Sequence, residues 1–126
     1  MFDDDDPVLG AVRDLALGLP GADMKVSHGR PAFFTTKIFA YYGCATREND
    51  EWIQHPSALV ITPDPEDRLA IDDDARFFAP AYLGPSGWRA VDVGGDGTDW
   101  SEVAELLDAS YRQTAPARLI RELDER

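Results

Sequence analysis

The chain has 126 residues and a formal net charge of −12, and 44% of its residues are hydrophobic. This length allows one compact domain with a single core and is too short for two ordinary ones. The apolar content excludes a disordered chain, and the acidic balance disfavours indiscriminate binding to DNA or anionic membranes. We therefore expect a single domain over residues 1–126.

Membrane and export signals are missing from the sequence. No run of about 18 apolar residues occurs, so no membrane-spanning helix and no membrane partner are expected. The acidic stretch from Asp3 to Asp6 has the wrong charge for a signal peptide. The single cysteine, Cys44, cannot form an internal disulfide, which fits a reducing compartment. These features predict a cytoplasmic protein.

The first half of the chain predicts one helix followed by strands. The aspartates at positions 3–6 can cap a helix that starts at Pro7 and stops at Pro20-Gly21. Its apolar stripe has helical spacing and consists of Val8, Ala11, Val12, Leu15 and Leu19. The following segments read as a strand over 24–27, a turn or bulge over 29–31, a hairpin over 32–42 broken at Thr35-Thr36, and a polar loop over 47–57.

The second half predicts a buried strand, a short helix, two strands and a terminal pair of helices. The apolar run 58–62 lies between prolines and indicates the buried strand, and the short helix follows from Pro63 to about Ile71. Segments 76–79 and 88–93 read as strands. Thr98 can cap the next helix, whose buried face is Trp100, Val103, Leu107 and Tyr111. Pro116 opens the last helix, which carries Leu119, Ile120 and Leu123 on one side.

Strands joined by short turns pair in the antiparallel direction, because parallel crossovers need a dozen or more residues. Amphipathic helices can cover one face of such a sheet and leave the other face open. The predicted fold class is therefore α+β: a two-layer domain with an antiparallel sheet of about five to six strands packed on helices.

Two predicted strand segments carry bases and no acid. Residues 24–47 contain Lys25, Arg30, Lys37 and Arg47, and residues 76–91 contain Arg76 and Arg89. Strands are depleted in acids in any case, and bases on edge strands discourage aggregation. The alternative is a basic patch that binds anions on an otherwise acidic body.

The candidate ligand-binding residues follow from this patch. Arg30, Lys37 and Arg89 would contact anionic groups, and Tyr82 and Trp88 would offer surfaces on which a base could stack. His28 precedes the Gly-Arg-Pro turn. It can act as an acid or base near neutral pH or serve as a structural hydrogen-bonding group.

Enzyme and metal motifs are not found in the sequence. Cys44 with His28 or His55 could form a nucleophile pair, but no local signature surrounds it, and a small apolar filler is the alternative. The dispersed His and Cys residues do not match zinc spacing, and the aspartates around residues 92–99 lack a calcium-loop pattern. We expect no catalytic residue, no metal and no cofactor.

Several short segments, taken in order, resemble the MmcQ/YjbR family of small bacterial domains, which are largely of unknown function. The matching segments are residues 15–21 (LALGLPG), 29–33 (GRPAF), 37–40 (KIFA), 64–66 (DPE), 82–84 (YLG), 87–88 (GW) and 115–119 (APARL). They span positions 8 to about 120, nearly the whole chain.

The resemblance implies one curved antiparallel sheet backed by helices, a fold grouped near CyaY-like (frataxin-like) and secretion-chaperone-like proteins. It also implies DNA as a ligand, through a double-wing arrangement, and it places Arg30, Lys37 and Trp88 at recurrent motif positions. The chain departs from the family at Ala117, where relatives commonly have a base, and in the wholly apolar strand 59–62. Both departures weaken the DNA expectation.

The leading hypothesis is a non-enzymatic domain that binds DNA or another anionic ligand on a basic open sheet face. An acidic protein-interaction or chaperone-like module with a protein partner is the alternative. A small enzyme using His28 or Cys44 on an anionic substrate is the third hypothesis.

Overall fold

The computed structural model describes residues 2–126, in which the chain forms six strands and four helices. The strands are β1 (Asp23–Ser27), β2 (Arg30–Phe34), β3 (Ile38–Glu48), β4 (Glu51–Ile61), β5 (Phe77–Phe78) and β6 (Arg89–Asp92). The helices are α1 (Pro7–Leu17), α2 (Arg68–Asp73), α3 (Trp100–Thr114) and α4 (Ala117–Asp124), and one 3₁₀ turn spans Gly84–Ser86. None of these helices has the length and apolar character needed to cross a bilayer.

The sheet has the strand order β1-β2-β3-β4-β6-β5, and every neighbouring pair is antiparallel. The predicted α+β class and the antiparallel sheet of five to six strands are thus confirmed. Helices α1, α3 and α4 bury their apolar sides against one face of this sheet. The main core comprises Leu9, Val12, Phe33, Phe39, Tyr42, Leu59, Ile61, Val103, Leu107, Tyr111 and Leu119. Burial of each large side chain contributes about 1.5–3 kcal/mol.

The helix starts show which side chains cap them. The Asp6 carboxylate accepts from the backbone N–H of Val8 at 2.9 Å, with Pro7 in the first helical position, as the sequence predicts. The predicted cap of α3 is wrong by one residue: Asp99 accepts from the first-turn N–H groups. A carboxylate complements the helix dipole better than a hydroxyl, and the Thr98 hydroxyl instead donates to the Val93 carbonyl at 2.9 Å.

The buried stripe of α1 differs from the predicted one. Leu9, Val12 and Ala16 are fully buried, whereas Val8, Leu15 and Leu19 are half-buried at the border of the core. The stripe therefore lies about one residue around the helix from its expected position.

The predicted polar loop over residues 47–57 is a β-hairpin. β3 continues to Glu48, and a two-residue turn at Asn49 and Asp50, with φ of 51° and 63°, leads directly into β4. Asn and Asp tolerate the left-handed conformation that such a turn requires. We call the outer half of this hairpin, residues 45–54, the β3–β4 arm. Residues 51–54 are all exposed to solvent, including the apolar Trp52 and Ile53, so the arm has no buried face there, and the mainly polar composition of 47–57 is typical of a loop.

The second face of the sheet is partly covered, not open. Strand residues opposite the helix layer form a small apolar cluster of Cys44, Ala58, Val60 and Ala90, joined by Tyr41 and Phe78. Leu83 and Trp88, from the connection between β5 and β6, pack onto this cluster. The same connection is hydrogen-bonded to β3, from the Ala81 N–H to the Ala45 carbonyl at 2.9 Å. A cavity remains between the connection and the β3–β4 arm.

Candidate ligand-binding cavity

A cavity of about 510 Å³ lies where the β1–β2 turn, the β3–β4 arm and the segment 80–83 meet. Its volume is within the range of about 300–1,000 Å³ that is usual for small-molecule sites. The inner lining is apolar and includes Cys44, Val60 and Leu83. Trp52 and Tyr82 lie at the outer edge, where they are 45% and 83% exposed. The cavity thus combines an apolar floor with an aromatic rim.

Arg30, the first residue of β2, is held in this cavity by the backbone of β3. Its side chain crosses directly over Gly43, where a Cβ atom would lie 2.6 Å from the Arg30 Nη1. Gly43 has a φ of +89° and lies at an irregularity in the β3–β4 register. Only glycine combines that backbone angle with so close an approach. The β-bulge therefore positions the guanidinium, as bulges near binding sites often do.

The charge of Arg30 is not neutralised by a carboxylate. Its Nη2 donates to the Oε1 atom of Gln54 at 2.6 Å, and this neutral amide is its only side-chain partner within residues 2–126. Arg30 is also the only permanent cation among the cavity-lining residues of that range. A guanidinium has five N–H donors in a planar fork, so most of its donors remain available to a bound anion.

The backbone of Tyr82 is strained where it lines the cavity. The positive φ angles of Asn49, Asp50 and His28 occur in two-residue hairpin turns, which require them. The remaining non-glycine residue with positive φ in 2–126 is Tyr82 (67°). A positive φ at a bulky residue is uncommon and costs about 1 kcal/mol or more. Burial of the Tyr82 ring does not compensate for this cost, because the side chain is largely exposed. Backbone strain that packing does not explain is typical of functional sites.

The aromatic rim is formed mainly by the Trp52 and Tyr82 rings. Their centroids are 5.8 Å apart and their planes are tilted by 32°. The guanidinium of Arg47 lies over the Trp52 ring, 5.0 Å from its centroid. Tyr41, deeper in the cavity, contacts Trp88 edge to face at 5.6 Å. A flat apolar group could therefore rest against the rim while a polar group reaches Arg30.

Cys44 lies in the cavity floor, in the middle of β3, and is 9% exposed. Burial raises the pKa of its thiol to about 11, although the positive charge of Arg30 opposes this shift. The thiol is therefore neutral at physiological pH and is not activated as a nucleophile. His55 is its cross-strand partner, but the His55 Nε2 is 2.8 Å from the Thr46 hydroxyl and its ring lies on Phe78.

Of the sequence-predicted site residues, the cavity brings together His28, Arg30 and Tyr82. Lys37 is exposed in the β2–β3 turn, outside the cavity lining. Trp88 is half-buried: it packs on Tyr41 and on the small apolar cluster of this face, and it lies outside the cavity lining.

Arg89 is paired within the protein. Its Nε donates to the Asp72 carboxylate at 2.8 Å, and its Nη1 donates to the carbonyls of Gly84 and Trp88 at 3.0 and 2.7 Å. Only 12% of its side chain is accessible, and its hydrogen bond holds the pKa of Asp72 below the usual value. Arg76 is likewise paired, with Asp74 at 2.7 Å and Glu102 at 2.8 Å.

Three residues that shape the cavity were missed by sequence reasoning: Gly43, Trp52 and Gln54. Trp52 and Gln54 fall in the segment interpreted as a loop. The available signal was the Asn49-Asp50 pair, which can form a two-residue hairpin turn between strands. The closeness of Arg30 to Gly43 depends on a bulge that no local pattern predicts.

The comparisons with known proteins give a family and no further relative. The family model described as YjbR matches residues 17–113. Neither the curated proteins nor the solved structures provide a significant match to the chain. The matched range contains all six strands, and with them every cavity-lining residue described above.

Proposed function

The chain belongs to the YjbR family, and we propose that this member is a non-enzymatic domain that binds a small anionic ligand in the Arg30 cavity. The observation that carries the proposal is the guanidinium of Arg30, held over Gly43 and paired only with a neutral amide inside a cavity of ligand size. A charge-assisted hydrogen bond contributes about 1.5–3 kcal/mol, enough for Arg30 to dominate the affinity of a small ligand.

The non-enzymatic part of the proposal rests on the other polar groups of the cavity. Cys44, the candidate nucleophile, keeps its proton at physiological pH because burial raises its pKa to about 11. His28, the candidate base, is exposed in the β1–β2 turn, and its side chain has no hydrogen-bond partner in residues 2–126. A catalytic base is usually oriented by a third group, and none holds His28.

DNA, the ligand implied by the family resemblance, is less well supported by the charges. The tip of the β3–β4 hairpin, the projecting element that could enter a groove, has one base, Arg47, and three acids, Glu48, Asp50 and Glu51. Arg89 is neutralised by Asp72. Because affinity for DNA depends on cations that contact phosphates, we favour a small ligand over a duplex.

An acidic protein-interaction module is the second candidate, and one observation favours it. Leu69 on α2 is 80% exposed, and Glu66, Asp67 and Asp73 are near it in the sequence and are also exposed. An exposed leucine in an acidic segment would suit a partner with an apolar residue among bases. Retention of a basic partner by the wild type and not by Leu69→Ser in a pull-down supports this candidate. Equal retention by both counts against it.

The experiment that tests the proposed function is an NMR titration of the labelled protein with acetate, benzoate, phenyl phosphate and inorganic phosphate. We expect at least one anion to shift the amide signals of Gly43 and Cys44 and to lose that effect in Arg30→Gln. The matched control is Lys37→Gln, which removes an exposed charge outside the cavity and should leave binding intact.

Two outcomes would overturn the proposal. One is the failure of every anion to bind, and the other is binding that persists in Arg30→Gln. A short DNA duplex serves as a separate arm of the same experiment. If the duplex binds in a salt-dependent manner and binding is lost in Arg30→Gln with Lys37→Gln, the family-implied function replaces the small-ligand proposal.

A further inference from the structure

The geometry of the cavity points to a class of ligand, an inference that rests on the proposed function. We infer that the ligand is a planar aromatic monocarboxylate, whose carboxylate meets Arg30 and whose ring lies against Trp52 and Tyr82. Three features of the described residues support this class: the number and type of charges, the aromatic rim and the apolar floor.

The charges favour one carboxylate. Arg30 provides a single positive fork, and its planar donors match a carboxylate in a two-pronged arrangement. No lysine and no second arginine line the cavity within residues 2–126 to balance a second negative charge. The nearby hairpin tip adds one base, Arg47, and three acids, Glu48, Asp50 and Glu51, and the whole chain carries −12. This field opposes dianions and polyanions more strongly than it opposes monoanions.

The rim favours a flat ring. Trp52 and Tyr82 contact each other at the rim, with centroids 5.8 Å apart and planes tilted by 32°, and both rings contribute aromatic surface to the cavity that contains Arg30. Tyr82 is kept at the rim by a left-handed backbone conformation, although its ring is 83% exposed and buries little surface of its own. Exposed aromatic rings in a concave site typically supply the contact surface for a ligand.

The floor favours a ligand body without further polar groups. Val60, Leu83 and the neutral thiol of Cys44 line the inner cavity. A sugar or a second polar group placed there would lose its hydrogen bonds to water and find few replacements. The described lining therefore suits an aromatic acid better than a nucleotide or a sugar phosphate.

The experiment compares matched probes on the wild-type protein by calorimetric titration. Benzoate is the reference, cyclohexanecarboxylate keeps the charge and removes the planar ring, benzamide keeps the ring and removes the charge, and phenyl phosphate raises the charge. We expect benzoate to bind about 3- to 10-fold more tightly than cyclohexanecarboxylate and at least about 10-fold more tightly than benzamide. Phenyl phosphate should bind more weakly than benzoate.

Two variants assign these preferences to side chains. Arg30→Gln should weaken benzoate binding by about 10- to 100-fold and abolish its advantage over benzamide. Tyr82→Asn, in which asparagine tolerates the left-handed backbone, should reduce the advantage of benzoate over cyclohexanecarboxylate and leave the advantage over benzamide. Lys37→Gln should change neither ratio.

Different results would overturn the ligand class and the proposed anion-binding function. Arg30-dependent binding of anions without preference for the planar ring, or with preference for phenyl phosphate, overturns the aromatic monocarboxylate and leaves the proposed function in place. Absence of Arg30-dependent binding for every probe overturns both. Even if a variant does not fold, the comparison of probes on the wild type still decides whether the protein prefers an aromatic monocarboxylate to the other anions.

Discussion

Arg30 and Arg89 occupy comparable places in the sheet and have opposite surroundings. Each is the first residue of a strand, and each lies in a sequence segment that contains bases and no acid. Arg30 meets only the neutral amide of Gln54 and faces a cavity. Arg89 meets the Asp72 carboxylate and two backbone carbonyls and is nearly inaccessible.

The difference shows that a stretch without acids in the sequence need not be free of acids in space. Asp72 reaches Arg89 from α2, 17 positions earlier in the chain, and Glu102 reaches Arg76 from α3. The β1–β2 turn, the β3–β4 arm and the segment 80–83 bring no carboxylate to Arg30. We therefore infer that Arg89 stabilises the fold through its hydrogen bonds and that the charge of Arg30 is available to a ligand.

Replacing the two arginines by methionine should separate these roles most clearly. Arg89→Met removes a largely buried side chain that donates to the carbonyls of Gly84 and Trp88 and to the Asp72 carboxylate. The Gly84 carbonyl keeps the Gly87 N–H and Asp72 keeps Arg68, but the Trp88 carbonyl loses its donor, so we expect the free energy of unfolding to fall by about 2–3 kcal/mol. Benzoate binding by the folded variant should be unchanged. Arg30→Met should lose benzoate binding while its free energy of unfolding changes by no more than about 1 kcal/mol.

Urea unfolding and calorimetric titration measure the two effects, and Lys37→Met is the control for removal of an exposed charge, expected within about 0.5 kcal/mol of the wild type. Equal loss of stability in the Arg30 and Arg89 variants would show that the two arginines do not differ in their contribution to the fold.

Gly43→Ala tests whether the β-bulge positions Arg30. The new Cβ would meet the Arg30 Nη1 at 2.6 Å and impose a left-handed conformation on alanine, so we expect a loss of about 1–3 kcal/mol in unfolding free energy. Benzoate affinity should fall as well, because the guanidinium must move. Gly10→Ala in α1, where no atom lies within 4 Å of the new Cβ, should instead stabilise the protein by about 0.5–1 kcal/mol.

A fall in stability without any change in benzoate affinity would mean that Arg30 does not depend on Gly43 for its position. Such a result would separate the bulge from the binding site and leave it a purely structural feature.

Gln54→Glu should convert the surroundings of Arg30 into those of Arg89. The substitution places a carboxylate where the Arg30 Nη2 now meets an amide oxygen at 2.6 Å. We expect benzoate affinity to fall by about 10-fold, or about 1.4 kcal/mol, because the cation becomes paired within the protein. Unfolding free energy should stay within about 1 kcal/mol of the wild type, since a partly exposed ion pair adds little. Unchanged affinity would contradict the role assigned to the unneutralised charge.

The sequence predicts the fold well because the relevant signals are local and repeated. The spacing of Val103, Leu107 and Tyr111 identifies the buried side of α3, and Asp6 with Pro7 marks the start of α1. Short connections between apolar segments require antiparallel pairing. The β3–β4 hairpin was missed because residues 51–54 of its second strand are all exposed, so the alternation that marks a half-buried strand does not occur there.

The candidate site could be predicted only in part. Arg30 was predicted because it lies in a segment with bases and no acid, and Tyr82 because it is an aromatic residue interleaved with those bases. His28 was predicted because it precedes the Gly-Arg-Pro turn. Their convergence depends on contacts between residues far apart in the chain, such as Ala81 with Ala45. The pairing of Arg89 with Asp72 is also a tertiary contact, and no sequence pattern distinguishes that arginine from Arg30.

The pH dependence of the stability of Asp72→Asn tests whether the ion pair with Arg89 stabilises the fold, and its expected effect is the smallest of the four. The hydrogen bond from Arg89, with a further contribution from Arg68, lowers the pKa of Asp72 in the folded protein from its ordinary value of 3.8. A carboxyl with a lowered folded pKa contributes stability that is fully present above the unfolded pKa and is lost as pH falls through the folded pKa. At pH 7 the variant should therefore be slightly less stable than the wild type.

The difference in unfolding free energy between the wild type and Asp72→Asn should narrow below about pH 4 and disappear once Asp72 is protonated in the folded wild type. Urea unfolding at a series of pH values from 7 to 2 measures this difference. Asp96→Asn is the control. Asp96 lies in an exposed glycine-rich turn and has no ion-pair partner within residues 2–126, so this variant should be as stable as the wild type at pH 7. A stability difference for Asp72→Asn that does not change with pH would mean that the Arg89 ion pair is not its cause. Arg89 would then be held by the carbonyls of Gly84 and Trp88 alone, and its contrast with Arg30 would be one of burial instead of charge.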